Sequence, residues 1–124
     1  MLQTNLKHVE TVQQFRDLIQ QNENVAIVCG RMGPMCIPVY GVMEALQPKY
    51  AHVQFRDLEF DSPVGKETIR ALPEVRTFNG LPFTVYFRNG RVVAATSSIQ
   101  TKQQVREILD RTMAAPATGV QGQG

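Results

Sequence analysis

The 124-residue sequence holds only two cysteines, Cys29 and Cys36, too few for a disulfide framework, so it reads as an intracellular protein. Charge of one sign is also missing. Thirteen basic residues face eleven acidic ones, with no basic run or stripe, which removes the electrostatic footprint of a nucleic-acid binder. No stretch approaches the ~20 consecutive apolar residues of a membrane span. The opening Met1-Leu2-Gln3-Thr4-Asn5 has neither the basic start nor the apolar run of a signal peptide. The expected setting is therefore cytoplasmic, with neither membrane nor nucleic acid as partner. No internal repeat, phosphate-cradling glycine loop, Ser/His/Asp set or paired-carboxylate site is legible. What remains is a chain long enough for one domain with its own buried core.

That domain is organised around Cys29-Gly30-Arg31-Met32-Gly33-Pro34-Met35-Cys36. Val25-Ala26-Ile27-Val28 before it is uninterrupted and apolar, the pattern of a strand buried on both faces. Gly30, Gly33 and Pro34 supply a turn, and Pro34 suits a first helical turn because its missing N–H costs nothing there. Beyond it Cys36, Val39, Met43, Leu46 and Tyr50 are spaced three and four apart, one face of a helix. This spacing puts Cys36 on the inward stripe. Pro38 falls early in that helix, and Pro48 closes it.

Elsewhere the pattern is punctuated clearly. Leu6 to Val9 is a short strand, with His8 expected to be solvated. Thr11 caps a helix whose stripe is Val12, Phe15, Leu18 and Ile19, and Gln14 stands at the capping-box position. Val53, Phe55, Leu58 and Phe60 form a strand on which Asp57, Glu59 and Asp61 read as a solvated face. His52, in the loop before it, is also expected to be solvated. Val64 to Leu72 reads as a helix stopped by Pro73. Asn79-Gly80-Leu81-Pro82 is a turn into the strand Phe83–Phe87, and Asn89-Gly90 folds that strand back onto Val92–Ala95 as a tight hairpin. Thr101, with Gln104 at the box position, caps a last helix to Met113. Residues 114–124 are expected to be a disordered tail. The order βαβαβαββα predicts an α/β domain over residues 1–113, a central mixed sheet with helices on both faces.

At this point the sequence resembles the thioredoxin family over all but the tail. The resemblance is carried by the apolar strand running into Met32-Gly33-Pro34, by Leu58-Glu59-Phe60-Asp61-Ser62-Pro63, by Leu81-Pro82 before an apolar strand, by Phe87-Arg88-Asn89-Gly90, and by the helix start at Thr101-Lys102-Gln103-Gln104-Val105. It implies the thioredoxin-like three-layer fold, with Pro82 as the cis-proline that shapes a groove for partner chains. It also implies thiol–disulfide chemistry by a Cys-Gly-Pro-Cys motif: an exposed thiolate attacks, and a buried thiol resolves the mixed disulfide. Here the motif departs. Read without a gap, Met32 and Met35 occupy both cysteine positions. Read by helix register, Met32 replaces the attacking cysteine and Cys36 takes the buried resolving place. Ala26 stands where the family carries a buried aspartate, and Ser98-Ile99 where it tends to have a small glycine-containing pair. The segment between Pro63 and Pro82 is about six residues longer than in a typical member.

The expected function is therefore a protein-binding module. Its partner would dock in a cis-proline groove made by Met32, Gly33, Pro34, Met35, Leu81, Pro82 and Ser98, without dithiol turnover. The competing reading is an atypical thiol–disulfide oxidoreductase acting through Cys36 alone or through Cys29 with Cys36. That pair would need Cα atoms within ~7 Å and converging Cβ vectors. Cys36 is otherwise a small buried apolar side chain, and Cys29 at a buried strand end likewise. Met32, Met35 and Cys36 are soft donors of the kind Cu(I) accepts, but methionine at such a face is first an adaptable contact surface. No cofactor and no metal are expected, and the pattern implies no particular oligomeric state. A third reading makes the tail from Ala114 a tether to an assembly.

Overall fold

The alternating and three-four spacings become nine elements in the expected order. The computed structural model describes residues 2–114; the expected tail, apart from Ala114, lies outside them. The elements are β1 (Lys7–His8), α1 (Val12–Gln21), β2 (Asn24–Gly30), α2 (Ile37–Leu46), β3 (Gln54–Glu59), α3 (Pro63–Glu67), β4 (Phe83–Arg88), β5 (Arg91–Ser97) and α4 (Lys102–Thr112). One sheet orders the strands β1-β3-β2-β4-β5. β2 runs parallel to β3 and antiparallel to β4, and β5 closes the hairpin with β4.

β2 is central, and every residue in it is buried, as its uninterrupted apolar run requires. Because side chains alternate along a strand, it feeds two cores. Val25, Ile27 and Cys29 pack with Phe15 and Leu18 of α1 and with Leu58, Val85 and Phe87. Ala26 and Val28 pack on the other face with Val39, Tyr40, Met43 and Leu46 of α2 and with Val105 and Leu109 of α4. Each fully buried large apolar side chain contributes about 1.5–3 kcal/mol. The two cysteines thus belong to cores on opposite faces of the sheet, since Cys36 lies in the second cluster.

The capping residues act as their chemistry predicts. Thr101 accepts the Gln104 N–H while the Gln104 side chain accepts the Thr101 N–H, a complete capping box. Thr11 accepts the Gln14 N–H, but the Gln14 side chain reaches back to the N–H of Glu10 rather than to Thr11. Asn89 and Gly90 have φ of 52° and 80°, the positive pair that a two-residue hairpin turn needs.

Several expectations are corrected. The helix read over Val64 to Leu72 is broken: α3 stops at Glu67, Thr68 leaves helical geometry at φ −116° and ψ −89°, and short 3-10 turns follow at Ile69–Ala71 and Pro73–Val75. The Thr68 hydroxyl donates to the Val64 carbonyl at 2.6 Å, the same carbonyl that accepts the Thr68 N–H at 3.0 Å, a back-bonding pattern that often bends helices. Pro73 starts the last of these turns instead of ending a helix. Asp57 is not on a solvated face; it is 0% exposed. β3 is an interior strand because β1 pairs along it, with His8 opposite Asp57, and Thr4 and His8 both bond the carboxylate. His8 is accordingly a partner of Asp57. His52 is likewise engaged, its Nε2 lying 2.7 Å from the Met113 carbonyl at the end of α4.

Candidate functional site

The strand-to-helix turn after β2 is built by hydrogen bonds to Gly33. The N–H groups of Cys36 and Ile37 both donate to its carbonyl, at 3.1 and 3.0 Å. α2 therefore begins at Ile37, with Cys36 at its N-cap and Pro38 in its first turn. Pro38 fills the role that the sequence assigned to Pro34, which lies in the preceding turn. The inward stripe holds: Cys36 is 2% exposed, with Val39, Met43 and Leu46 buried beyond it. Tyr50 is buried too, past a short 3-10 turn at Gln47–Lys49.

Gly30 is the point on which the site converges. A Cβ there would stand 2.8 Å from Tyr40 Oη, 2.9 Å from Cys36 Sγ and 3.0 Å from Pro82 Cβ. The absence of a side chain is what lets a phenol, a thiol and a proline ring meet at the end of β2. Tyr40 Oη donates to the Arg31 carbonyl at 3.0 Å, and the Arg31 N–H donates to Cys36 Sγ at 3.4 Å. Burial pushes the Tyr40 phenol well above its ordinary range, and the nearby Cys36 and Asp57 add to this. Tyr40 is the residue that the three-four count passed over. It lies four residues beyond Cys36, so a full helical wheel places it on the same face.

Pro82 follows a cis Leu81–Pro82 peptide. Its carbonyl and that of Gly80 both accept the Ser98 N–H, at 3.1 and 3.2 Å. Ser98 has φ of 68°, left-handed backbone that costs a serine about 1–2 kcal/mol and a glycine almost nothing. Its Oγ sits only 2.0 Å from where a Gly80 Cβ would be. The serine in place of a small pair is therefore accommodated by a glycine facing it.

Of the sulfurs at this turn, the thioethers face outward and the thiol faces inward. Met32 is 41% and Met35 45% exposed, and Ile37 and Ile99 are exposed as well. Gly33, Pro34, Leu81 and Ser98 are at least partly accessible, whereas Pro82 is buried. The Met32 Sδ accepts the Gln3 N–H at 3.3 Å. Cys29 lies on the opposite sheet face, and both cysteines are free thiols. Burial pushes the Cys29 thiol up to about 12, leaving it un-ionised at neutral pH.

The flank of the turn carries charges that sequence reasoning did not pair. Arg31 makes a bidentate contact with Asp61 at 2.7 and 2.9 Å, which holds the Asp61 carboxyl below its usual range. The guanidinium groups of Arg31 and Arg70 lie 5.1 and 4.1 Å from the Phe60 ring centre. No group of three or more His, Cys, Asp or Glu side chains suited to a metal occurs among the described residues. No helix among them is long and apolar enough to cross a membrane.

Comparison with known proteins separates sequence from architecture. No protein-family model matches the sequence, and no curated protein matches it either. Solved structures do match. A Plasmodium falciparum thioredoxin superposes with a TM-score of 0.71 at 18% identity, covering 86% of this chain and 99% of that one. Chlamydomonas reinhardtii thioredoxin f2 gives 0.71 at 14% identity, over 90% of this chain and 100% of its own. Oxidised mitochondrial thioredoxin 3 of Saccharomyces cerevisiae gives 0.70 at 18% identity, over 86% and 94%. With its central β2, the hairpin of β4 and β5, and a cis-proline packed against the strand-to-helix turn, the chain has the thioredoxin fold.

Proposed function

We propose that this protein is a thioredoxin-fold binding module that docks a partner protein on the face around Met32, Gly33, Pro34, Met35, Leu81, Pro82 and Ser98. It does so without two-cysteine disulfide turnover. One observation carries the reading: the outward sulfur of the turn belongs to Met32, while the thiol of Cys36 is 2% exposed. A thioether cannot form a mixed disulfide, so the attacking role has no occupant. The same substitution supplies an unbranched, polarizable side chain suited to an apolar, adaptable contact. A cytoplasmic setting belongs to this proposal and is supported by two unpaired thiols.

The test has two arms. Reduction of a model protein disulfide should proceed at the rate of the external reductant alone; turnover comparable with an ordinary thioredoxin would overturn the reading. Retention of partner proteins from cell extract should be lost in Met32→Asp and kept in Val93→Asp, which lies on the distant β5. A second reading keeps Cys36 as a lone redox thiol, favoured by the Arg31 N–H directed at its sulfur. Loss of a measured activity in Cys36→Ser, with rapid alkylation of Cys36 at neutral pH, would select it. Pairing of Cys29 with Cys36 would require one of them to cross the sheet.

A further inference from the structure

We propose that Met32 and Met35 form an oxidation site for hydroperoxides, and that conversion of these thioethers to sulfoxides switches the docking face off. The inference starts from where the sulfur atoms are. Among the described residues Cys29, Cys36, Met43 and Met113 are buried, and the two exposed sulfur-bearing side chains are those of Met32 and Met35. A peroxide arriving at this face therefore meets thioether before thiol. A thiol must ionise before it reacts, and the Cys29 thiol is held un-ionised by burial. A thioether reacts without ionising.

The step is a two-electron oxygen transfer. A sulfur lone pair attacks the distal oxygen of hydrogen peroxide, the S–O bond forms and the O–O bond breaks. The peroxide proton passes to the departing oxygen, so one thioether and one peroxide give one sulfoxide and one water. The product is polar and chiral where the side chain had been apolar and adaptable. Two such changes, one of them next to exposed Ile37, replace apolar contact surface with strong hydrogen-bond acceptors that a partner's apolar side chains leave unsatisfied.

The two methionines differ in a way that sets an order. Met32 Sδ already accepts the Gln3 N–H, which draws on the electron pair that attacks peroxide. Among the described residues Met35 Sδ receives no such donor, and its side chain is slightly more exposed. Met35 should oxidise first.

The chemistry at these sulfurs stands on exposure alone, whereas its consequence rests on the docking reading above, and the experiment separates them. The native protein is titrated with hydrogen peroxide and followed by intact mass and peptide mapping, with a sulfenic-acid trap for the thiols. Oxygen should appear at Met35, then Met32, on the order of tenfold faster than at Met43 or Met113. Comparable oxidation of the buried methionines, or earlier trapping of Cys36, would overturn the assignment. Partner retention is then measured for the native protein before peroxide, after it, and again once methionine sulfoxide reductases have returned the sulfoxides to thioethers. Peroxide should abolish retention and the reductases should restore it. If the wild type oxidises but retains its partners, the switch fails and docking stands. If Met32→Asp also retains them, docking itself is what fails.

Discussion

Gly30→Ala tests the physical core of the site in one methyl group. The added Cβ would lie 2.8 Å from Tyr40 Oη, 2.9 Å from Cys36 Sγ and 3.0 Å from Pro82 Cβ, against ordinary contacts of 3.4–4 Å. All three neighbours are buried, and two are tethered: Tyr40 donates to the Arg31 carbonyl and Cys36 accepts the Arg31 N–H. Pro82 is fixed by its own ring. Overpacking of this kind costs typically about 1–3 kcal/mol, and the lower backbone entropy of alanine returns about 0.5–1 kcal/mol. The expected net loss is about 1–2 kcal/mol, a fall in Tm of roughly 3–10 °C for a domain of this size. Urea unfolding followed by circular dichroism reads it directly. Gly33→Ala is the internal control, since nothing lies within 4 Å of its Cβ position; it should be neutral or stabilising by up to about 1 kcal/mol. In a Cys36→Ala background the cost of Gly30→Ala should shrink by at least about 0.5 kcal/mol, because one of the three pressed atoms is gone. A Gly30→Ala protein as stable as wild type, or a Gly33→Ala protein equally damaged, would refute the convergence of thiol, phenol and proline on this point.

Other consequences are equally direct. Asp57 is held above the usual carboxyl range by burial, against the hydrogen bonds from Thr4 and His8 and with Glu44 nearby. Its protonated form is thus favoured by folding, and that contribution is full below the ordinary carboxylate pKa and lost as pH rises through the folded value. Asp57→Asn does not titrate there, so its stability relative to wild type should improve as pH rises through and above the ordinary carboxylate range; movement in the opposite direction would show that the hydrogen bonds from Thr4 and His8 outweigh burial. Ser98→Gly should stabilise by roughly 0.5–1 kcal/mol in chemical denaturation, as relief of left-handed serine exceeds the added chain entropy; a loss would mean that the Ser98 hydroxyl contributes more than its strain. In the native state at neutral pH both cysteines should resist iodoacetamide until urea exposes them, Cys29 behind its thiol of about 12 and Cys36 behind its burial. Prompt native labelling of Cys36 would place its sulfur at the surface.

The sheet and its helices were legible because their signals are local. Val25–Val28 is apolar without a break, Asn89-Gly90 demands a hairpin, and Thr101 with Gln104 announces a helix start. The inward position of Cys36 followed from counting threes and fours. Charged residues were read less well, for a reason that lies in the pairing of distant strands. Asp57 alternates with Glu59 and Asp61 as a surface face would, and only the placement of β1 along β3 turns it into a buried group with a histidine partner. The same non-local cause hid Gly30, whose role depends on Pro82 arriving from the turn before β4, and the Arg31–Asp61 pair, which spans 30 residues. Thr68 failed differently. Its periodicity fits a helix, yet the backbone turns away there at φ −116° and ψ −89°, with hydroxyl and N–H both still donating to the Val64 carbonyl.

The N-terminal segment joins these features into one mechanical unit. Thr4 and His8 bond Asp57 in the sheet, the Asn5 N–H donates to Glu44 of α2 at 2.8 Å, and the Gln3 N–H reaches Met32. Four anchoring points within six residues, Gln3, Thr4, Asn5 and His8, tie the sheet, the helix and the turn to a single strap. A strap this short should pass a change at one anchor on to the others. Asp57→Asn replaces one of the two carboxyl oxygens that Thr4 and His8 bond with an amide nitrogen, so the Gln3 N–H should leave Met32 Sδ more often. Met32 would then approach the peroxide reactivity of Met35, and peptide mapping of the two sulfoxides in wild type and Asp57→Asn measures that ratio. A ratio unchanged by the substitution would show that the strap's anchors act independently.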